Sequence, residues 1–119
     1  MTDESPAGRP IESPAQAIER LARELEGIRR SEVGKAVEFD RAGVVFATRE
    51  AGRLSFRLRV EIVTAALKTP DTASSERGSD WVSMAPAVVD SFVLDRATAW
   101  FEIAWRIAGE QAAAKRPVN

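Results

Sequence analysis

Arg49, Arg53, Arg57 and Arg59 fall within one short stretch of the chain. On a single sheet face their guanidinium groups would converge on a phosphate or carboxylate, since each presents a planar fork of donors to paired oxygens. Glu38, Asp40 and Glu50 lie near enough in sequence to act instead as cross-strand partners, which would make that face a solvated lattice of ion pairs of small energetic weight. From Val33 to Lys68, Lys35, Arg41, Lys68 and these four arginines outnumber Glu38, Asp40, Glu50 and Glu61 by three. Over the whole chain, 17 basic against 18 acidic side chains leave a formal net charge of −1, so no global field attracts nucleic acid or anionic lipid.

Trp81, Trp100 and Trp105 could anchor an interface, where tryptophan is enriched, or fill the core. Trp100 shares a helical stripe with Ala97, Phe101 and Ala104 and belongs to the core; Trp105 points about 140° away. Trp105 and Trp81 are therefore the interface candidates. Glu102, between Trp100 and Ala104, would have a raised pKa if held against aromatic surface, but it can also pair with Arg106 one helical turn on. Ser74, Ser75, Ser79 and Asp80 offer hydroxyls and a carboxylate, yet a serine nucleophile needs a base. The chain contains no His, Cys or Tyr. That removes the commonest general base and metal ligand, the thiol nucleophile and the phenolic acid, and leaves carboxylates as the main catalytic means. Zinc spacing, EF-hand spacing and glycine-rich phosphate loops are also missing from the sequence, so no catalytic residue, metal or cofactor is assigned.

These residues must be positioned by one domain. A chain of 119 residues that is 45% hydrophobic and 29% charged has the size and composition of a single globular core. Residues 1–13, with little apolar content besides Ile11, are expected to form a disordered tail; 14–114 form the domain and 115–119 a frayed end. Met1–Pro10 lacks an apolar run and cysteine is absent, so the cytoplasm is the expected compartment, without a membrane partner.

Ser13-Pro14-Ala15-Gln16 carries the cap, first-turn proline and reciprocal glutamine of a helix start. Ile18, Leu21, Ala22, Leu25 and Ile28 continue it at helical spacing, predicting an end near Arg29 or Arg30. The period then falls to two. Val37 and Phe39 mark a first strand, Val44–Arg49 a second and Arg53–Val60 a third, with turns at Arg41-Ala42-Gly43 and Glu50-Ala51-Gly52. Glu61–Lys68 predicts a short helix, Thr69–Asp80 a polar surface loop, and Trp81–Met84 a strand stopped by Pro86. A long last helix follows, capped by Asp95 or alternatively by Asp90, with Ala97, Trp100, Phe101, Ala104, Ile107 and Ala108 on its buried stripe. The fold class is α+β: an antiparallel sheet of three to five strands with the N- and C-terminal helices on one face.

Gly43-Val44-Val45-Phe46-Ala47, Gly52-Arg53-Leu54-Ser55-Phe56, the approach to Trp81-Val82-Ser83 and the helix Ala99–Ala108 resemble two groups of small α+β proteins. One is the "luciferase domain" family, whose name is not evidence of light chemistry; the other is the YjbR/MmcQ-like group, related in fold to the TfoX N-terminal domain. The resemblance implies the fold. Members often carry histidines before the Trp-Val strand, and Thr69–Asp80 has none, so a histidine-dependent role does not carry over; Asp80 replaces the usual glycine. The aromatic common near the end of the last helix corresponds to Trp105 or Ile107. The DNA-binding role supposed for YjbR-like proteins meets an acidic chain here. A non-catalytic binding or protein-interaction module, homodimeric or accessory to another protein, is the leading expectation. A nucleic-acid or anion-binding module and a small carboxylate-only enzyme are the alternatives.

Overall fold

The computed structural model describes residues 12–115, and the expected tail and C-terminal end lie largely outside that range. Glu12 and Ser13 are engaged. The Ser13 hydroxyl accepts from the Gln16 amide at 3.0 Å, and the Ser13 amide donates to Gln16 Oε1 at 2.8 Å, completing the capping box of α1 (Pro14–Glu24). Glu12 holds Arg20 at 3.1 Å. There follow β1 (Ile28–Val33), β2 (Ala36–Arg41), β3 (Val44–Glu50), β4 (Arg53–Arg57), α2 (Val60–Ala66), β5 (Thr72–Ser75), β6 (Gly78–Met84) and α3 (Ser91–Lys115).

The strands form one antiparallel six-stranded sheet in the order β1-β2-β3-β4-β6-β5. The meander expected from the alternation is β2-β3-β4. Its two hairpins turn through Ala42-Gly43 (φ 53° and 86°) and Ala51-Gly52 (φ 48° and 81°), pairs of left-handed residues whose twist matches that of the strands. The sheet exceeds the expected three to five strands at both edges. β1 takes residues that helical spacing assigned to α1, which ends at Glu24 instead of Arg29 or Arg30. β5 and the start of β6 take residues assigned to a loop. Both additions are edge strands with little apolar alternation, held by backbone ladders and by charge pairs such as Arg29–Asp40 at 3.0 Å.

α1 and α3 lie on the sheet face formed by Val37, Phe39, Ala47, Leu54, Phe56, Val82 and Met84. Between Phe39 and Asp40 the β2–β3 register jumps from Ala47 to Val45, so Phe46 is an extra residue. This bulge buries Phe46 and Ala47 together, which strict alternation forbids. The gain is an aromatic cluster: Phe101 of α3 meets Phe39 at 5.4 Å and Phe46 at 5.2 Å, both edge to face, while Trp100 meets Phe56 at 6.1 Å. The predicted stripe of α3 is buried from Ala97 to Ala108. Its start is a correction. Asp90, and not Asp95, caps it, accepting from the Val93 amide at 2.9 Å, because Val93 is buried and draws one more turn onto the core. Val60 is a second correction: β4 ends at Arg57, and Val60 is exposed at the start of α2 rather than on the strand's inner face.

Candidate interaction surface

The four arginines do not share a face. Arg49 stands opposite Val37, on the helix side, and its Nε donates to Glu19 of α1 at 2.7 Å. Arg57 lies on the other face and donates to Asp80 at 2.8 Å; Arg59, beyond β4, reaches Glu110 of α3 at 2.5 Å. Arg53 alone of the four has no carboxylate partner among the described residues. Those partners come from 30, 23 and 51 residues away, beyond the local pairs that strand pairing suggests. Glu38 binds Arg77 at 2.8 Å instead, and buried Asp40 accepts from Arg29 and from the Gly43 amide.

Glu19 is the most constrained carboxylate. Arg30 at 2.8 Å and Arg49 at 2.7 Å hold it between α1, β1 and β3. Burial pushes its pKa up, but the hydrogen bonds and charges of Arg30 and Arg49 outweigh that and leave it below the ordinary value. A carboxyl whose folded pKa is depressed adds stability above its unfolded pKa, near ~4.3, and loses it as pH falls through the folded value. Between pH ~7 and ~3 the wild type should therefore lose about 1 kcal/mol more than Glu19→Gln, solvent screening at the cleft rim limiting the effect. Denaturant titrations at both pH values check this, and equal acid sensitivity of the two proteins would remove Glu19 from the account. Clefts of about 620 and 430 Å³ flank Glu19, but Glu12 and Glu19 line them as well as Arg20, Arg23, Arg30 and Arg49. Four guanidinium groups against two carboxylates leave the clefts positive, although Glu12 and Glu19 hold Arg20, Arg30 and Arg49 in ion pairs.

Both candidate tryptophans are engaged within the chain. Trp81 is buried beneath the Arg77 guanidinium, 5.1 Å from the ring centre. Trp105 donates from Nε1 to the Glu26 carbonyl at 2.8 Å, and Arg41 stacks on its ring at 4.1 Å while donating to its carbonyl at 3.0 Å. Gly109 makes room for that arginine: a Cβ there would collide with the Arg41 guanidinium. Glu102 pairs loosely with Arg106 at 3.8 Å. No cluster of metal-ligating side chains occurs among the described residues, and no helix among them is long and apolar enough to cross a membrane.

The two most exposed large apolar side chains among the described residues, Phe92 and Val88, lie close together in the chain. Val88 is 69%, Val89 41% and Phe92 80% exposed, on the link from β6 and the first turn of α3. Beside them, Val89 and Pro86 join Pro14 and Leu54 around a mainly apolar hollow of about 200 Å³. Single exposed apolar side chains are ordinary, whereas here a protruding phenylalanine stands with two exposed valines near an apolar hollow. Its sequence signal was one of phase. With Asp90 as cap, Phe92 falls one residue off the stripe of Val93, Ala97, Trp100 and Phe101 and so must face outward. No family model, no curated protein and no solved structure matches this chain.

Proposed function

We propose that this domain is a non-catalytic, cytoplasmic protein-interaction module that pairs with a second copy of itself through the Phe92 surface. The carrying observation is the protruding Phe92, three residues along the chain from Val89, which lines a hollow with Pro14, Leu54 and Pro86. A knob and a hole on one patch are self-complementary: under a two-fold axis, Phe92 of each copy enters the hollow of the other. A net charge of −1 sets little repulsion against such pairing. The arginines that would favour nucleic acid are mostly neutralised by Glu19, Asp80 and Glu110, which supports the protein-interaction reading.

Burying one phenylalanine contributes about 1.5–3 kcal/mol, and a two-fold interface buries it twice. Phe92→Glu should therefore weaken the dimer at least ~100-fold while leaving circular dichroism and melting of the monomer unchanged. Sedimentation equilibrium from about 1 to 100 μM reads this directly, a range that brackets common micromolar affinities. A wild type that stays monomeric throughout, or a Phe92→Glu variant that dimerises as well as it does, would overturn the proposal.

A further inference from the structure

The sheet face away from α1 and α3 carries a row of aligned side chains, Glu38-Thr48-Ser55-Ser83-Ala73, one from each of five strands. Thr48, Ser55 and Ser83 are each only 7% exposed. A face with no helix over it would ordinarily leave such residues open. They are enclosed by the β5–β6 turn, whose Arg77 crosses to Glu38 on β2 at 2.8 Å and lies over Trp81. Beneath this strap is a pocket of about 220 Å³ with Thr48, Ser55 and Ser83 in its lining, Ser74 and Ser75 beside them, and Glu50, Arg53 and Glu76 among its charged residues.

The hydroxyls are unequally satisfied. Ser55 and Ser83 share a hydrogen bond of 2.8 Å. Thr48, little exposed as a residue, makes no hydrogen bond to a side chain or backbone group among the described residues, and it lines the pocket. The unpartnered buried polar atoms of the described residues are Arg96 Nε and Gln111 Oε1, so the Thr48 hydroxyl is open to the pocket and has bonding capacity that an occupant can take up. Arg53, exposed in the same lining, is a guanidinium with no ion pair among the described residues.

We infer that this pocket binds a small polyhydroxylated monocarboxylate of the sugar-acid class, its carboxylate on Arg53 and its hydroxyls on Thr48, Ser55 and Ser83. Size, charge and chemistry each narrow the choice. The volume of about 220 Å³ is below the common range for drug-sized ligands, about 300–1,000 Å³, so the occupant is small. A guanidinium fork matches a planar carboxylate in bidentate fashion. Glu50 and Glu76 place two negative charges beside Arg53, which disfavours a phosphate dianion relative to a carboxylate monoanion. Hydroxyl groups both donate and accept, which suits a floor of Ser and Thr side chains.

The probe is D-glucuronate, titrated into ¹⁵N-labelled full-length protein, with amide shifts of Thr48, Ser55 and Ser83 and the Trp81 indole signal as readouts. Saturable shifts with a Kd below ~5 mM are expected, with acetate, glucose and inorganic phosphate each at least ~10-fold weaker. Arg53→Gln should weaken glucuronate about tenfold, and the near-isosteric Thr48→Val about three- to tenfold, with little change in melting for the rim variant. No saturation by about 50 mM, phosphate binding as tightly as glucuronate, or undiminished binding by Arg53→Gln would each overturn the inference. Because Arg53 is exposed, its variant tests the pocket even if Thr48→Val fails to fold.

Discussion

Replacing Phe101 by alanine is expected to destabilise the domain by about 3–5 kcal/mol, the largest single loss among the substitutions considered. Phe101 is fully buried, and its ring is wedged between the edges of Phe39 on β2 and Phe46 at the β3 bulge. Those neighbours stand on paired strands whose backbone cannot move inward without breaking ladder bonds, so the space left by the ring closes only in part. The lost transfer energy and the residual cavity then add. A domain of this size commonly has only about 5–15 kcal/mol of total stability, so the variant should unfold at a much lower urea concentration with an unchanged slope. A loss below about 1 kcal/mol would mean that Phe101 is not the centre of the helix–sheet contact.

Trp105→Ala should cost about 2–3 kcal/mol, less than a fully buried aromatic because its ring remains partly open to solvent. The physical content is a three-way lock. Trp105 binds the Glu26 carbonyl just before β1, and Arg41 at the end of β2 stacks on its ring and bonds its carbonyl. α3 thereby fastens the β1 edge, whose other attachments are its ladder to β2, Ile28 against the core and charge pairs at the surface. Trp105→Phe keeps an aromatic face for Arg41 and removes only the indole donor, so its cost should be about 0.5–1.5 kcal/mol. In a double-mutant cycle, Trp105→Ala and Arg41→Ala should be non-additive by about 0.5–1 kcal/mol, the weight of a partly exposed cation–π contact. Hydrogen exchange should show the amides of β1 losing protection before those of β3 and β4. Additive losses, or uniform loss of protection across the sheet, would disprove the lock.

The elements legible in the sequence were those whose signal is local. Ser13 and Gln16 sit at the spacing of a capping box and form one. Ala42-Gly43 and Ala51-Gly52 separate alternating runs and turn the meander. The stripe from Ala97 to Ala108 keeps helical spacing because a single face of α3 meets the sheet. β1 and β5 lacked such a signal, since an edge strand of charged or small residues is specified by the strand it pairs with. The Phe46 bulge was likewise hidden, as register belongs to two strands together.

By itself, then, the sequence determined the α+β class, the β2-β3-β4 meander, the capped first helix, the buried face of α3 and the lack of His, Cys and Tyr for chemistry. These depend on periodicity, turn residues and composition, which neighbouring positions carry. Only the tertiary structure decided that Arg49, Arg57 and Arg59 find distant carboxylates, that Trp81 and Trp105 are covered by arginines, and that Phe92 stands outside. A side chain's partner depends on which segments the fold brings within hydrogen-bonding distance, and separations of 30 to 64 residues, as for Arg49 with Glu19 and Arg41 with Trp105, leave no trace in local spacing.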